Sequence, residues 1–187
     1  MNNRGHGFKR AALISPDDHV RGSPLARVTL IEYSDFASPA CAECHRMVRK
    51  IRKKMGSRLL YVFRGFPQPD EHEHSEDAAE AAECASAQGK FWQMHDLIFE
   101  NEGASDELHL SRYASDLGLN LLRFRREMRD HLHLAKIRAA RKSGVRSGVT
   151  EAPTFFINLA RHESAFGLAT LLPAVQAAAG EATDPGS

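Results

Sequence analysis

The chain has 187 residues, 42% of them apolar, with 25 Lys and Arg against 24 Asp and Glu. Length and composition fit a single domain that buries an ordinary core. The near balance of charge excludes a general polyanion binder, and no apolar run reaches the ~18 residues that span a bilayer.

Residues 1–24 are polar and end in Gly22-Ser23-Pro24, which reads as a loosely ordered lead-in partly packed on the domain. The first 20 residues hold no apolar segment before a small-residue cleavage site, so no secretory signal is read and a cytoplasmic location is expected. Residues 28–33, Val28-Thr29-Leu30-Ile31-Glu32-Tyr33, form a β-branched and apolar run suited to a buried strand, followed by a turn at residues 34–37. Ser38 then suits a helix N-cap and Pro39 the first helical position. Cys41, Cys44, Val48, Ile51 and Met55 recur at helical spacing up to Gly56. Residues 59–64 are a second strand, completing a βαβ unit whose crossover is expected to be right-handed.

The middle of the chain is helical. Segments are predicted over residues 75–87 and 91–99, and residues 108–117 and 121–141 add two or three more, separated by Gly118 and ending near Gly144. Residues 154–157 form a strand directly after Pro153, a weak strand is expected near residues 160–163, and residues 168–178 close the domain as a helix. No internal repeat is seen. The domain is expected over residues 25–180, with a helical insertion at about residues 70–145 and a flexible tail at residues 181–187.

The three cysteines, Cys41, Cys44 and Cys84, cannot all pair within one chain. Thiol exchange needs a thiolate at an accessible helix N-terminus, where unpaired amides and the helix dipole stabilise negative charge. A second cysteine at i+3 then lies close enough to form a disulfide. Cys41 and Cys44 have that spacing after a strand, which is a recognised redox signature. Two helix frames fit the segment. With Ser38 as N-cap, Cys41 is the third helical residue and Cys44 lies a further turn in. With the start near Cys41, that thiol is the exposed nucleophile and Cys44 its resolving partner. Cys41 is the better thiol in both.

The wider pattern resembles the DsbA-like thiol–disulfide oxidoreductases of the thioredoxin superfamily. The strand ending in Ser34-Asp35-Phe36 is similar to that family's lead into its active site, where Asp-Phe, one residue and Cys-Pro-x-Cys follow. Here the segment reads Asp35-Phe36-Ala37-Ser38-Pro39-Ala40-Cys41, so Ser38 stands at the family's nucleophile position, Cys41 at the resolving position, and Cys44 is additional. Arg64-Gly65-Phe66-Pro67, Gln88-Gly89-Lys90-Phe91-Trp92 and Ala152-Pro153-Thr154-Phe155 resemble later family segments, so the likeness runs over about residues 15–178. It implies an α/β thioredoxin-like fold with a helical insertion between the βαβ half and a C-terminal ββα half. It also implies that Pro153 is a cis-proline beside the cysteines, with Pro39, Ala40 and Ala152 lining a substrate groove. In such a site the backbone before the proline is open to pairing with a substrate strand.

Two functional readings follow. In the first, Cys41 carries the reactive thiolate, Cys44 resolves or regulates it, Pro153 shapes the groove, and Ser38 caps the helix and donates to the Cys41 sulfur. Its partners are protein or small-molecule thiols and disulfides, with no cofactor, no metal, no nucleic acid and no membrane. In the second, the domain is a redox-inactive or redox-sensing binding module, because a serine cannot form a disulfide. Metal binding by Cys41 and Cys44 with His45 or His72 is an incomplete signal, since a closed zinc site needs about four converging ligands. Asp70-Glu71-His72-Glu73-His74 reads as a polar loop, although His72 and His74 are placed to flank the active site. Glu43 is a candidate proton acceptor, His45 reads as a helix-surface residue, and Cys84 as a small buried one. The sequence leaves the oligomeric state open.

Overall fold

The computed structural model describes residues 10–180. Strand β1 (His19–Gly22) pairs antiparallel with β3 (Leu59–Gly65), and β3 runs parallel to β2 (Val28–Ser34). On its other side β2 pairs antiparallel with β4 (Thr154–Ile157), which pairs with β5 (Ala160–Arg161). The sheet order is therefore β1-β3-β2-β4-β5. Helix α1 (Pro39–Met55) connects β2 to β3. Helices α2 (Ser75–Ser86), α3 (Phe91–Glu100), α4 (Glu107–Asp116), α5 (Leu121–Arg129) and α6 (Leu134–Arg146) come between β3 and β4. Helix α7 (Leu168–Ala178) closes the domain. This is a thioredoxin-like α/β fold carrying a helical insertion, as the resemblance implied.

Strand β2 is central because its residues satisfy both faces of the sheet at once. Leu30 joins the larger core, with Cys41, Val48, Ile51 and Met55 from α1. Ile31 and Tyr33 point the other way and pack with Val62, Phe66, Val149 and Phe156. A strand covered on both faces reads as a near-continuous apolar run, which is why it is legible in the sequence.

One feature of the chain differs from expectation. The stretch expected to be a lead-in contains β1, and Ala11 donates its backbone N–H to Leu159 O at 2.9 Å. An edge strand of four residues, with alternate residues half-buried, gives a weak pattern in sequence. It is anchored by Arg64, whose guanidinium makes two 2.7 Å bonds to Asp18 and a 2.8 Å bond to the Tyr33 hydroxyl. Turns at Asp130 to His133 divide the helical stretch over residues 121–141 into α5 and α6. The expected tail at residues 181–187 and the first nine residues lie outside the described part.

Helix α6 reaches the second sheet face through Gly144. A Cβ there would lie 2.9 Å from Phe66 Cδ2 and 3.0 Å from Tyr33 Cε1. The absent side chain sets how closely the helix approaches the two rings, because a packed interior has no slack for added volume. Gly144→Val is expected to lower stability by about 1–3 kcal/mol, read as a lower urea midpoint with an unchanged slope. An unchanged midpoint would show that α6 is not in tight contact with the rings.

Candidate functional site

The helix frame is settled by its cap. Ser38 has extended backbone angles, φ −85° and ψ 124°, and its Oγ accepts the Cys41 backbone N–H at 3.5 Å. Pro39 occupies the first helical position. A serine oxygen satisfies one of the open N–H groups of the first turn, and proline has none to satisfy. Cys41 is thus the third helical residue, and Cys44 lies a turn deeper. The Ser38 oxygen accepts from the backbone, its hydroxyl also acts on the Cys41 sulfur as expected, and Cys41 Sγ accepts from the Asp35 backbone N–H at 3.4 Å.

This frame buries both sulfurs. Cys41 is 0% exposed and Cys44 7% exposed, and neither is in a disulfide. Burial pushes the Cys41 thiol up to about 11, with the hydroxyl of Ser34 and the amide of Asp35 opposing the rise. Burial also raises Cys44, more strongly, and the charges of Glu32, Cys41 and Glu43 add to the rise. Removing a thiolate from water outweighs the help of the helix amides. The expectation of an exposed Cys41 nucleophile, attached to the alternative frame, therefore does not match the structure.

Cys44 instead edges a groove of about 440 Å³, together with Ala40, Met47, Pro153, Phe166 and Leu168. Pro39 and Ala40 are exposed, and Ala152 is half-buried. The Ala152–Pro153 peptide is cis. Arg46 and Lys50, on the exposed face of α1, add positive charge to the groove rim, and Glu43 adds a negative one.

The loops around the site are joined by Asp35, which is 1% exposed. Its carboxylate accepts from Ala37 N at 3.0 Å, Gln68 N at 3.1 Å, His72 Nδ1 at 2.9 Å and Ser75 Oγ at 2.8 Å. Gln68 Oε1 in turn accepts the Ala152 N–H at 2.9 Å. His72 therefore does reach the site region, whereas His74 pairs with Asp77 on α2.

Sequence reasoning passed over Glu32 and Gln68. Glu32 is 1% exposed, and Tyr61 donates its hydroxyl to Glu32 Oε2 at 2.7 Å. Burial pushes the Glu32 carboxyl up to about 7, against the lowering effect of the Tyr61 and Ser34 hydroxyls. A carboxylate inside an otherwise apolar strand was the signal available in the sequence. Glu43 is exposed and holds no such position. His45 is not a surface residue: it is buried, stacks on Phe99 at 5.2 Å, and is held at about pKa 4 by burial and by His95. Cys84 is fully buried, as expected.

A family model described as thioredoxin matches residues 15–177. The chain belongs to the thioredoxin family. Its structure is similar to the alpha-DsbA1 protein of Wolbachia pipientis, with a TM-score of 0.79 at 24% identity over 90% of this chain and 94% of that one. It also matches BdbD of Bacillus subtilis, with a TM-score of 0.81 at 16% identity over 92% and 98% of the two chains. A thioredoxin-like oxidoreductase of Silicibacter pomeroyi matches at 26% identity and TM-score 0.77, over 90% and 95%. The fold is thus that of the DsbA-like members. By sequence, the chain is 39% identical over 166 residues to a protein named Na(+)/H(+) antiporter NhaA 3 of Salinispora tropica, covering 88% of this chain and 25% of that protein. The chain spans about a quarter of the length of the curated relatives it matches. Among the described residues no helix is long and apolar enough to cross a membrane.

The buried carboxyl gives a pH signature. A free Glu ionises near 4.5, and Glu32 near 7 in the folded chain. Between these values the unfolded chain gives up a proton that the folded chain keeps, so this group lowers stability as pH rises and its effect levels off above 7. Glu32→Gln keeps an acceptor for Tyr61 and has no proton to lose. Relative to the native chain the variant is expected to gain about 3 kcal/mol between pH 4.5 and 8, measured by urea unfolding. The same pH slope in both proteins would contradict the assignment.

Proposed function

We propose that the domain is a thiol–disulfide oxidoreductase whose working pair is Cys41 and Cys44, with Cys44 facing the substrate. The observation that carries this reading is the arrangement of two thiols one turn apart on α1. One edges the groove beside Pro153, and the other lies fully buried one turn earlier. Membership of the thioredoxin family supports it.

In the disulfide form, a substrate thiolate attacks Cys44 Sγ and the Cys41–Cys44 bond breaks. Cys41 leaves with the electron pair, held by the Asp35 N–H, and takes a proton from the Glu32 carboxyl. The more acidic thiol is the better leaving group, and Cys41 is the less strongly raised of the two. A second substrate thiolate attacks the substrate sulfur of the mixed disulfide and releases Cys44. The net change is one substrate disulfide formed and one protein disulfide reduced. Exchange with a small disulfide such as oxidised glutathione restores the pair. Ser38 caps the helix throughout, and Pro39, Ala40, Ala152 and Pro153 shape the groove.

A second reading, a binding module without redox chemistry, is favoured by Ser38 together with the burial of both sulfurs, which stay protonated near neutral pH. A glutathione redox titration with acid trapping and peptide mass spectrometry separates the two. A Cys41–Cys44 disulfide is expected in the native chain. In Cys41→Ser, a glutathione adduct on Cys44 is expected instead. Thiols that remain reduced across the whole titration, without any adduct, would establish the binding module.

A further inference from the structure

A second cluster of chemically active side chains lies outside the Cys41 groove. Cys84 on α2, Glu127 on α5 and His133 at the start of α6 place one ligand atom each within 4.8 Å of one another. Cys84 and Glu127 are buried, and His133 is half-buried. None of the three is used in the thiol chemistry above.

The geometry is close to that of a coordination sphere. His133 Nε2 and Glu127 Oε2 are 3.3 Å apart. Two ligands about 2.0–2.1 Å from a tetrahedral zinc ion are separated by about that distance. The other Glu127 oxygen, Oε1, accepts from Arg123 Nε at 2.6 Å, which turns Oε2 toward the cluster. Glu80, 1% exposed, accepts the His133 backbone N–H at 3.1 Å and His131 Nδ1 at 2.9 Å, fixing the turn that carries His133. Outer hydrogen bonds of this kind orient the ligands of metal sites.

We propose that Cys84, Glu127 and His133 bind zinc(II), with water in the fourth position. A thiolate, an imidazole and a carboxylate form a donor set suited to zinc, and the sulfur disfavours calcium and magnesium. On binding, the metal replaces the Cys84 thiol proton, which passes to solvent. Glu127 Oε2 and the neutral His133 Nε2 each supply a lone pair, and the imidazole proton resides on Nδ1. The thiolate and carboxylate together cancel the charge of the dication, so a neutral centre forms where an unbalanced charge would be costly. The site ties α2, α5 and the start of α6 together, which gives the helical insertion a crosslink of its own.

The test is a cobalt(II) titration of the metal-stripped chain, followed by displacement with zinc. One equivalent is expected to bind with a thiolate-to-cobalt charge-transfer band that zinc abolishes. The band is lost in Cys84→Ser, persists in the Cys41→Ser/Cys44→Ser double variant, and needs at least about tenfold more cobalt in His133→Ala. Absence of the band in the native chain overturns the proposal. So does a band that follows Cys41 and Cys44 instead. Should Cys84→Ser fail to fold, the partly exposed His133→Ala decides: native affinity there overturns the site.

Discussion

The Asp35 carboxylate is the constraint on which the rest of the site depends. It is buried, yet four donors from three separate segments converge on it: Ala37 in the turn before α1, Gln68 and His72 in the loop after β3, and Ser75 at the start of α2. A buried carboxylate without partners would cost several kcal/mol, so the surrounding chain is held wherever those donors must be. The Asp35 N–H meets the Cys41 sulfur, and Gln68 extends the same network to Ala152 beside Pro153. One residue thus sets the start of α1, the seat of the sulfur and one wall of the groove.

Within this frame Ser38 fixes where α1 begins. The resemblance places a thiol at this position; the serine here is 4% exposed and caps the helix. Cys41 lies in the first turn and Cys44 a turn deeper, and for both desolvation outweighs the helix amides. Their raised pKa values follow from that burial. The groove, the Pro153 loop and the Glu32–Tyr61 pair lie around them. The proposed sulfur chemistry uses Cys44 at the groove edge and Cys41, the fully buried sulfur one turn earlier.

Much of the fold was legible because burial leaves a periodic trace. The apolar run of β2, the helical spacing of Cys41, Cys44, Val48, Ile51 and Met55, and the Ser38–Pro39 helix start each carry one physical instruction. Strand β1 was not legible, since its fixing contacts, Arg64 to Asp18 and Ala11 to Leu159, join positions far apart in sequence. His45 was misplaced on the surface for a related reason: the helical insertion folds back over α1 and covers it with Phe99 and His95. In the site, the cap and the cysteine spacing were readable. The depth of the sulfurs and the converging bonds on Asp35 depend on loops whose approach no local pattern encodes.

The proposal rests on a resemblance that puts a thiol where Ser38 stands, and it predicts that this serine oxygen limits thiol exchange. Its most direct test is the exchange rate of Ser38→Cys with a glutathione disulfide probe at pH 7, beside the native chain. The variant is expected to form a disulfide between its new thiol and Cys41. It is also expected to exchange at least about tenfold faster, because that thiol stands at the helix start. A variant no faster than the native chain would contradict the account, by showing that the surroundings of residue 38, and not its hydroxyl, limit the chemistry.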